Sequence, residues 1–216
     1  MEEREFETNA IRMQMDRSGN LEHSAPLYLT SSFVFEDAED MRASFAEEKD
    51  RNIYSRYANP NTSELISKVC QMEGAEAGFA FASGMAAVYS TFAALLESGD
   101  HIVSCSSVFG STLSLYQNFF PKWKISTDLF NLNDSAAAIE ALIKPNTKVI
   151  YVESPTNPGV DILDLQMIGD IAAKHGLILI VDNCFASPYL QQPISFGAHL
   201  VVHSATKLID GQGRVL

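Results

Sequence analysis

The sequence predicts an α/β fold, a mostly parallel sheet flanked by helices, and three features lead there. Apolar runs rich in Val and Ile recur at residues 148–152, 177–181 and 199–203, and such near-continuous runs read as strands buried on both faces of a parallel sheet. Stretches of helical periodicity separate them, which is the pattern of βαβ units. Each run then stops abruptly in polar residues: Glu153-Ser154-Pro155-Thr156-Asn157-Pro158, Asp182-Asn183 and Ser204-Ala205-Thr206-Lys207. Ligands of such sheets sit beyond the carboxyl ends of the strands, so one crevice is expected to receive Asn157, Asp182 and Lys207 together.

Taken in order, residues 1–60 show no strong periodicity and contain Ser24-Ala25-Pro26, Thr30-Ser31-Ser32 and a polar run over 47–52. An irregular segment of that length is more often an arm or a partner-binding piece than part of a compact domain. It is expected to form an N-terminal arm docking on another subunit, with 61–216 as a large domain. From Asn61 the pattern becomes regular, with Asn61 as N-cap, Glu64 three residues on, Leu65, Val69 and Met72 on one face, and Gly74 as the stop. Residues 78–82 read as a strand, and Ser83-Gly84 opens a helix through Met85, Val88, Tyr89, Phe92 and Leu96 to Gly99. A strand at 101–104, a helix within 110–120, a strand near 122–126 and a helix over 134–143 follow. Then come the strand that ends at Glu153, a crossover helix over 165–175 and the strand that ends at Asp182. The chain stops at Leu216, shortly past Lys207, with no sign of a domain ending there; a C-terminal domain is expected to be missing.

Composition narrows the function classes. A formal charge of −12 opposes a nucleic-acid partner, because phosphate binding needs clustered Lys and Arg. The acidic start, Met1 to Glu7, lacks the apolar core of a secretory signal, and no apolar stretch reaches the roughly 18 residues of a membrane span. A cytoplasmic protein without membrane contact is expected. Cys70, Cys105 and Cys184 lack CxxC spacing and fit reduced thiols. His199 and His203 have no third ligand beside them, so no metal is expected.

The residues that end the strands carry the chemistry. A lysine amine able to form an imine, with a carboxylate placed to keep a pyridine nitrogen protonated, is the minimum that pyridoxal 5'-phosphate (PLP) requires of a protein. Singly, Lys207 would read as a solvated loop residue and Asp182 as a turn residue or cap. Ser83-Gly84-Met85 lies where a strand gives way to a helix, a place suited to an anion, and glycine lets backbone approach a phosphate. Gly84 could equally be a turn glycine.

Five segments together resemble the Cys/Met-metabolism PLP enzymes, the γ-family. They are Tyr54-Ser55-Arg56-Tyr57-Ala58-Asn59-Pro60, Ala82-Ser83-Gly84-Met85-Ala86, Glu153 to Pro158, Val181-Asp182-Asn183 and Ser204 to Lys207. The resemblance implies an aspartate-aminotransferase-like (fold type I) architecture with PLP on Lys207 as an imine, Lys207 also serving as the catalytic proton shuttle. It implies that Ser83, Gly84, Met85, Ser204 and Thr206 hold the cofactor phosphate, that Asp182 pairs with the ring nitrogen, and that Asn157 meets the ring's 3-oxygen. Tyr54 and Arg56 are implied to reach the phosphate of a neighbouring subunit, in a homo-oligomer expected to be a tetramer built of dimers that share active sites. Phe109 falls where many members carry a tyrosine stacked on the ring; phenylalanine stacks but transfers no proton. Its Phe-Gly-Ser context is similar to the branch that acts on O-succinylhomoserine. The implied activity is γ-replacement on that amino acid by sulfide, giving homocysteine in methionine biosynthesis. A cystathionine γ-synthase and a γ-lyase share every motif above. A non-catalytic Rossmann-like binding module is a further alternative, opposed by the lack of G-x-G-x-x-G after any strand.

Overall fold

The computed structural model describes residues 5–215, which fall into two compact units, one ending at Ala80 and the other beginning at Phe81.

Among the described residues the first unit holds three helices: α1 (Phe6–Arg12), α2 (Ala38–Phe45) and α3 (Pro60–Glu73). The arm is thus less irregular than its sequence suggests, since α2 is capped by the Asp37 carboxylate on the Asp40 N–H at 2.8 Å. Helix α3 begins earlier than expected. Asn59, not Asn61, is its N-cap, because Pro60 fits the first helical position where no N–H is needed. The Asn61 side chain instead accepts from the Tyr28 N–H and donates to the Pro26 carbonyl, both at 2.8 Å. Gly74 ends α3 in the left-handed conformation, φ 70°, as the sequence indicated.

The second unit runs α4 (Gly84–Leu95), β1 (His101–Cys105), α5 (Gly110–Ser114), β2 (Ser126–Phe130), α6 (Ala136–Glu140), β3 (Thr147–Glu153), α7 (Leu165–His175), β4 (Ile178–Asp182), α8 (Ser187–Leu190) and β5 (Leu200–Val202). The five strands form one sheet in the order β2-β1-β3-β4-β5, every pair parallel. The apolar runs are strands because both faces are covered: Val149 to Val152 and Leu179 to Val181 are buried throughout. Phe92 of α4, Phe120 and Tyr151 pack ring against ring at centroid distances of 5.2–5.3 Å, and each such buried ring stabilises the fold by about 1.5–3 kcal/mol.

Two expectations fail from residue 78 onward. Strand β2 starts at Ser126 because α5 continues through a π turn and a 3-10 turn, Phe120–Trp123, closed by Lys124 at φ 62°. Residues 78–82 pair with no strand among the described residues. The chain passes from β1 to β2 on one side of β1 and then to β3 on the other, so the strand order reverses between β1 and β3. Crevices beyond the carboxyl ends at such a reversal are where α/β sheets bind ligands.

Candidate active site

A pocket opens at that reversal, on the carboxyl side of the sheet. Phe109 comes to it from the loop after β1, Asn157 from the loop after β3, and Asp182 from the last position of β4. Ser204 and Lys207 come from the turn after β5, and Gly84 and Met85 from the start of α4. The convergence expected from sequence is therefore present for these seven residues.

The α4 end of the pocket is built by Ser83. Its extended backbone makes it the N-cap and its hydroxyl accepts from the Ala86 N–H at 3.2 Å. That leaves the Gly84 and Met85 N–H groups ahead of the intrahelical ladder, where a helix carries unpaired donors. Ser83 itself caps and is not among the pocket-lining residues. Glycine is required next to it, since a Cβ on Gly84 would come within 2.7 Å of Ser204 Cβ.

Two carboxylates, Asp182 and Glu153, line the same pocket. Asp182 is buried; its Oδ2 accepts from the Tyr151 hydroxyl and its Oδ1 from the Cys184 N–H, each at 3.1 Å. Glu153, its register partner on β3, is 2% exposed. Its Oε2 accepts from the Phe109 N–H at 2.6 Å and its Oε1 from the Asn157 N–H at 3.0 Å. Burial, reinforced by the neighbouring Asp182 charge, pushes the Glu153 carboxyl up to about 7. Burial likewise raises the Cys184 thiol and the Tyr151 phenol, keeping both protonated near neutral pH. Cys184 Sγ also accepts the Ser204 N–H at 2.9 Å, tying the Asp182 loop to the turn that carries Lys207. Lys207 is solvent-exposed at the rim. Thr206 shares its turn without lining the pocket.

Tyr54 and Arg56 belong to the first unit. The Arg56 guanidinium carbon lies 5.2 Å from the ring centroids of both Tyr54 and Tyr57, and no carboxylate among the described residues pairs with it. The sequence alone assigns Glu153, Tyr151 and Cys184 no part in the site. Glu153 stands inside the Glu-Ser-Pro-Thr-Asn-Pro run, and Tyr151 shares its strand face by the two-residue alternation; their partners depend on register.

The donor set suits a phosphorylated pyridine aldehyde. Two free helix N–H groups stand at the start of α4, the absent Gly84 side chain lets Ser204 close up beside them, and a buried carboxylate and an amine line the same pocket. Among the described residues no group of three His, Cys, Asp or Glu forms a metal site, and no helix is long and apolar enough to cross a membrane.

The Cys/Met metabolism PLP-dependent enzymes match residues 7–216. O-succinylhomoserine sulfhydrylase of Pseudomonas aeruginosa is 47% identical over 97% of this chain and 52% of its own length. L-methionine gamma-lyase of Porphyromonas gingivalis is 38% identical over 89% of this chain and 48% of its own. A Campylobacter jejuni protein described as an O-acetylhomoserine (thiol)-lyase, solved with N'-pyridoxyl-lysine-5'-monophosphate at one position, superposes with TM-score 0.93 at 33% identity, over 99% of this chain and 52% of that one. The chain spans about half the length of the curated relatives it matches.

Proposed function

The chain belongs to the Cys/Met metabolism PLP-dependent enzymes and its cofactor is PLP, and from that premise we propose that the polypeptide carrying it catalyses γ-replacement on an activated homoserine, in which sulfide displaces succinate from the Cγ of O-succinylhomoserine to give homocysteine and succinate. The observation that supports this reading is the pocket that gathers Lys207, Asp182, Asn157 and the Gly84 end of α4. The choice of reaction within the family follows the higher identity to a sulfhydrylase, 47%, than to a γ-lyase, 38%.

When bound, PLP supplies an electron sink for charge developing at the substrate's Cα and Cβ. In this reading the Gly84 and Met85 N–H groups and the Ser204 hydroxyl would hold its phosphate, the Thr206 hydroxyl would join them from the turn it shares with Lys207, and the Ser83 cap would set the helix end. Asp182, held by two donors, would pair with the ring nitrogen, Asn157 would meet the 3-oxygen, and Phe109 would cover the ring. Proton transfer falls to Lys207. Phe109 has no proton to give, both Glu153 oxygens are engaged, and the Cys184 thiol stays protonated. Lys207 Nζ then takes the proton from the substrate's Cα and returns protons further along the side chain. By the same resemblance, Tyr54 and Arg56 of the arm complete the phosphate site of a neighbouring subunit in a tetramer built of dimers, and the enzyme works as a cytoplasmic transferase.

The test is an assay of the full-length polypeptide with O-succinylhomoserine plus sulfide, with O-succinylhomoserine plus cysteine, and with methionine alone. Homocysteine from the first mixture is expected, and Lys207→Ala should abolish it. Turnover of methionine alone, without sulfide-dependent homocysteine, would replace this reading with a γ-lyase.

A further inference from the structure

The ladder between β1 and β3 stops at the Ser104–Tyr151 pair, yet the loops beyond it must hold Phe109 and Asn157 on two sides of one pocket. Glu153 spans the gap, one oxygen on the Phe109 N–H and the other on the Asn157 N–H. We propose that Glu153 is a positioning residue whose carboxylate sets the separation of Phe109 and Asn157, and so fixes the cofactor ring between them. The proposal rests on the cofactor reading above.

Its chemistry is specific to a carboxylate. Ionised Glu accepts at both oxygens, whereas Gln has a single acceptor and would turn its NH2 toward the second N–H. Gln fills the same space and would relieve the repulsion from Asp182, so any loss it causes reports on the second hydrogen bond rather than on packing. The ionisable groups around Glu153 are Asp182 and Cys184 from β4 and the loop after it, Tyr151 from β3, Cys105 from β1, Tyr116 from the turn following α5, and Lys207 at the rim. Protonation of Glu153 in this setting would release one of the two N–H groups.

The experiment uses the full-length polypeptide. Wild type is first examined for a PLP absorbance band that borohydride fixes to the chain and that Lys207→Ala abolishes. Absence of the band in wild type refutes the cofactor reading itself and this proposal with it. With the band present, Glu153→Gln should still bind PLP, about tenfold more weakly, and with its circular dichroism in that band at least halved. Wild-type affinity and dichroism in a Glu153→Gln protein that melts like wild type would overturn the role given to Glu153 alone. If the variant does not fold, amide exchange of wild type decides. A several-fold lower protection factor at Phe109 or Asn157 at pH 6 than at pH 8 supports the clamp, and equal protection at both overturns it.

Discussion

The Tyr151 hydroxyl donates to Asp182 Oδ2 across 3.1 Å inside the sheet's buried face, while the Cys184 N–H holds Oδ1. Tyr151 lies two residues before Glu153 on β3, so its ring points to the same side of the sheet and its hydroxyl reaches diagonally to the end of β4. The carboxylate proposed to face the cofactor ring is thus oriented from behind. Tyr151→Phe deletes the donor and little else. A hydrogen bond to a charged group is worth about 1.5–3 kcal/mol, so turnover in the PLP-loaded full-length enzyme should fall about tenfold. Asp182→Asn should fall further. Steady-state kinetics decide, and an unchanged turnover number in Tyr151→Phe would mean that this bond has no part in the reaction.

Buried His101 makes stability depend on acid. Its Nδ1 meets Thr147 Oγ1 at 2.8 Å and its Nε2 lies 3.5 Å from Asp128 Oδ2, which Lys144 already engages at 2.6 Å. Burial, and then the Lys144 charge, lower the His101 pKa. The folded protein therefore keeps His101 neutral at pH values where the unfolded chain, titrating near about 6.5, takes up a proton. Stability from this group is complete above about pH 6.5 and is lost as the pH falls below it. Glu153 acts in the opposite sense, since its raised folded pKa makes its contribution decline as the pH climbs toward about 7. Melting curves between pH 8 and pH 5 should show a smaller acid loss in His101→Gln than in wild type, and parallel curves would count against the assignment.

How much of this was legible in the sequence depends on whether a feature is local. The central strands could be read because Val149 to Val152 and Leu179 to Val181 are apolar on both faces, and helix α7 because its helical periodicity separates two such runs. Edge strand β2 lies later than the sequence indicates, since Ser-Thr-Asp-Leu-Phe is half exposed and lacks the continuous apolar run that marks the central strands. Asn59 and Asn61 flank Pro60; the proline's fit to the first helical position favours Asn59 as cap, and the long-range bonds of Asn61 to Pro26 and Tyr28 occupy the other side chain. Lys207, Asp182 and Asn157 could be found because each follows an apolar run. Glu153 and Tyr151 could not, because what they do depends on the neighbouring strand's register and on a loop 44 residues away in sequence.

Gly169 offers a stability test remote from the pocket. A Cβ there would stand 1.9 Å from the Phe196 carbonyl oxygen, so α7 touches the turn before β5 backbone to backbone. Alanine normally favours a helix interior over glycine by about 1 kcal/mol. Here Gly169→Ala should instead lower the unfolding free energy, by about 3 kcal/mol or more, as overpacking does when backbone must move. Urea titration of the full-length polypeptide measures it, and a stabilised variant would show that the two segments separate at little cost.

Gly84 joins the same kind of contact to the chemistry. Its missing Cβ would lie 2.7 Å from Ser204 Cβ, 3.1 Å from Ser204 Oγ and 3.2 Å from Ser204 Cα, so the first residue of α4 presses on the turn that carries Lys207. Gly84→Ala must push that turn away or swing the helix end. Either movement separates the Gly84 and Met85 N–H groups from the Ser204 hydroxyl, the donors proposed to share one phosphate, and PLP affinity should fall at least tenfold in an equilibrium titration. Loss of affinity alone would also follow from a side chain that merely intrudes on the ligand, so the clash needs its own measurement. Removing the opposing Cβ with Ser204→Gly should relieve most of the strain, and the two substitutions should then be non-additive in unfolding free energy, with a coupling of about 1 kcal/mol or more. Additive stabilities would mean that α4 and the Lys207 turn do not constrain each other.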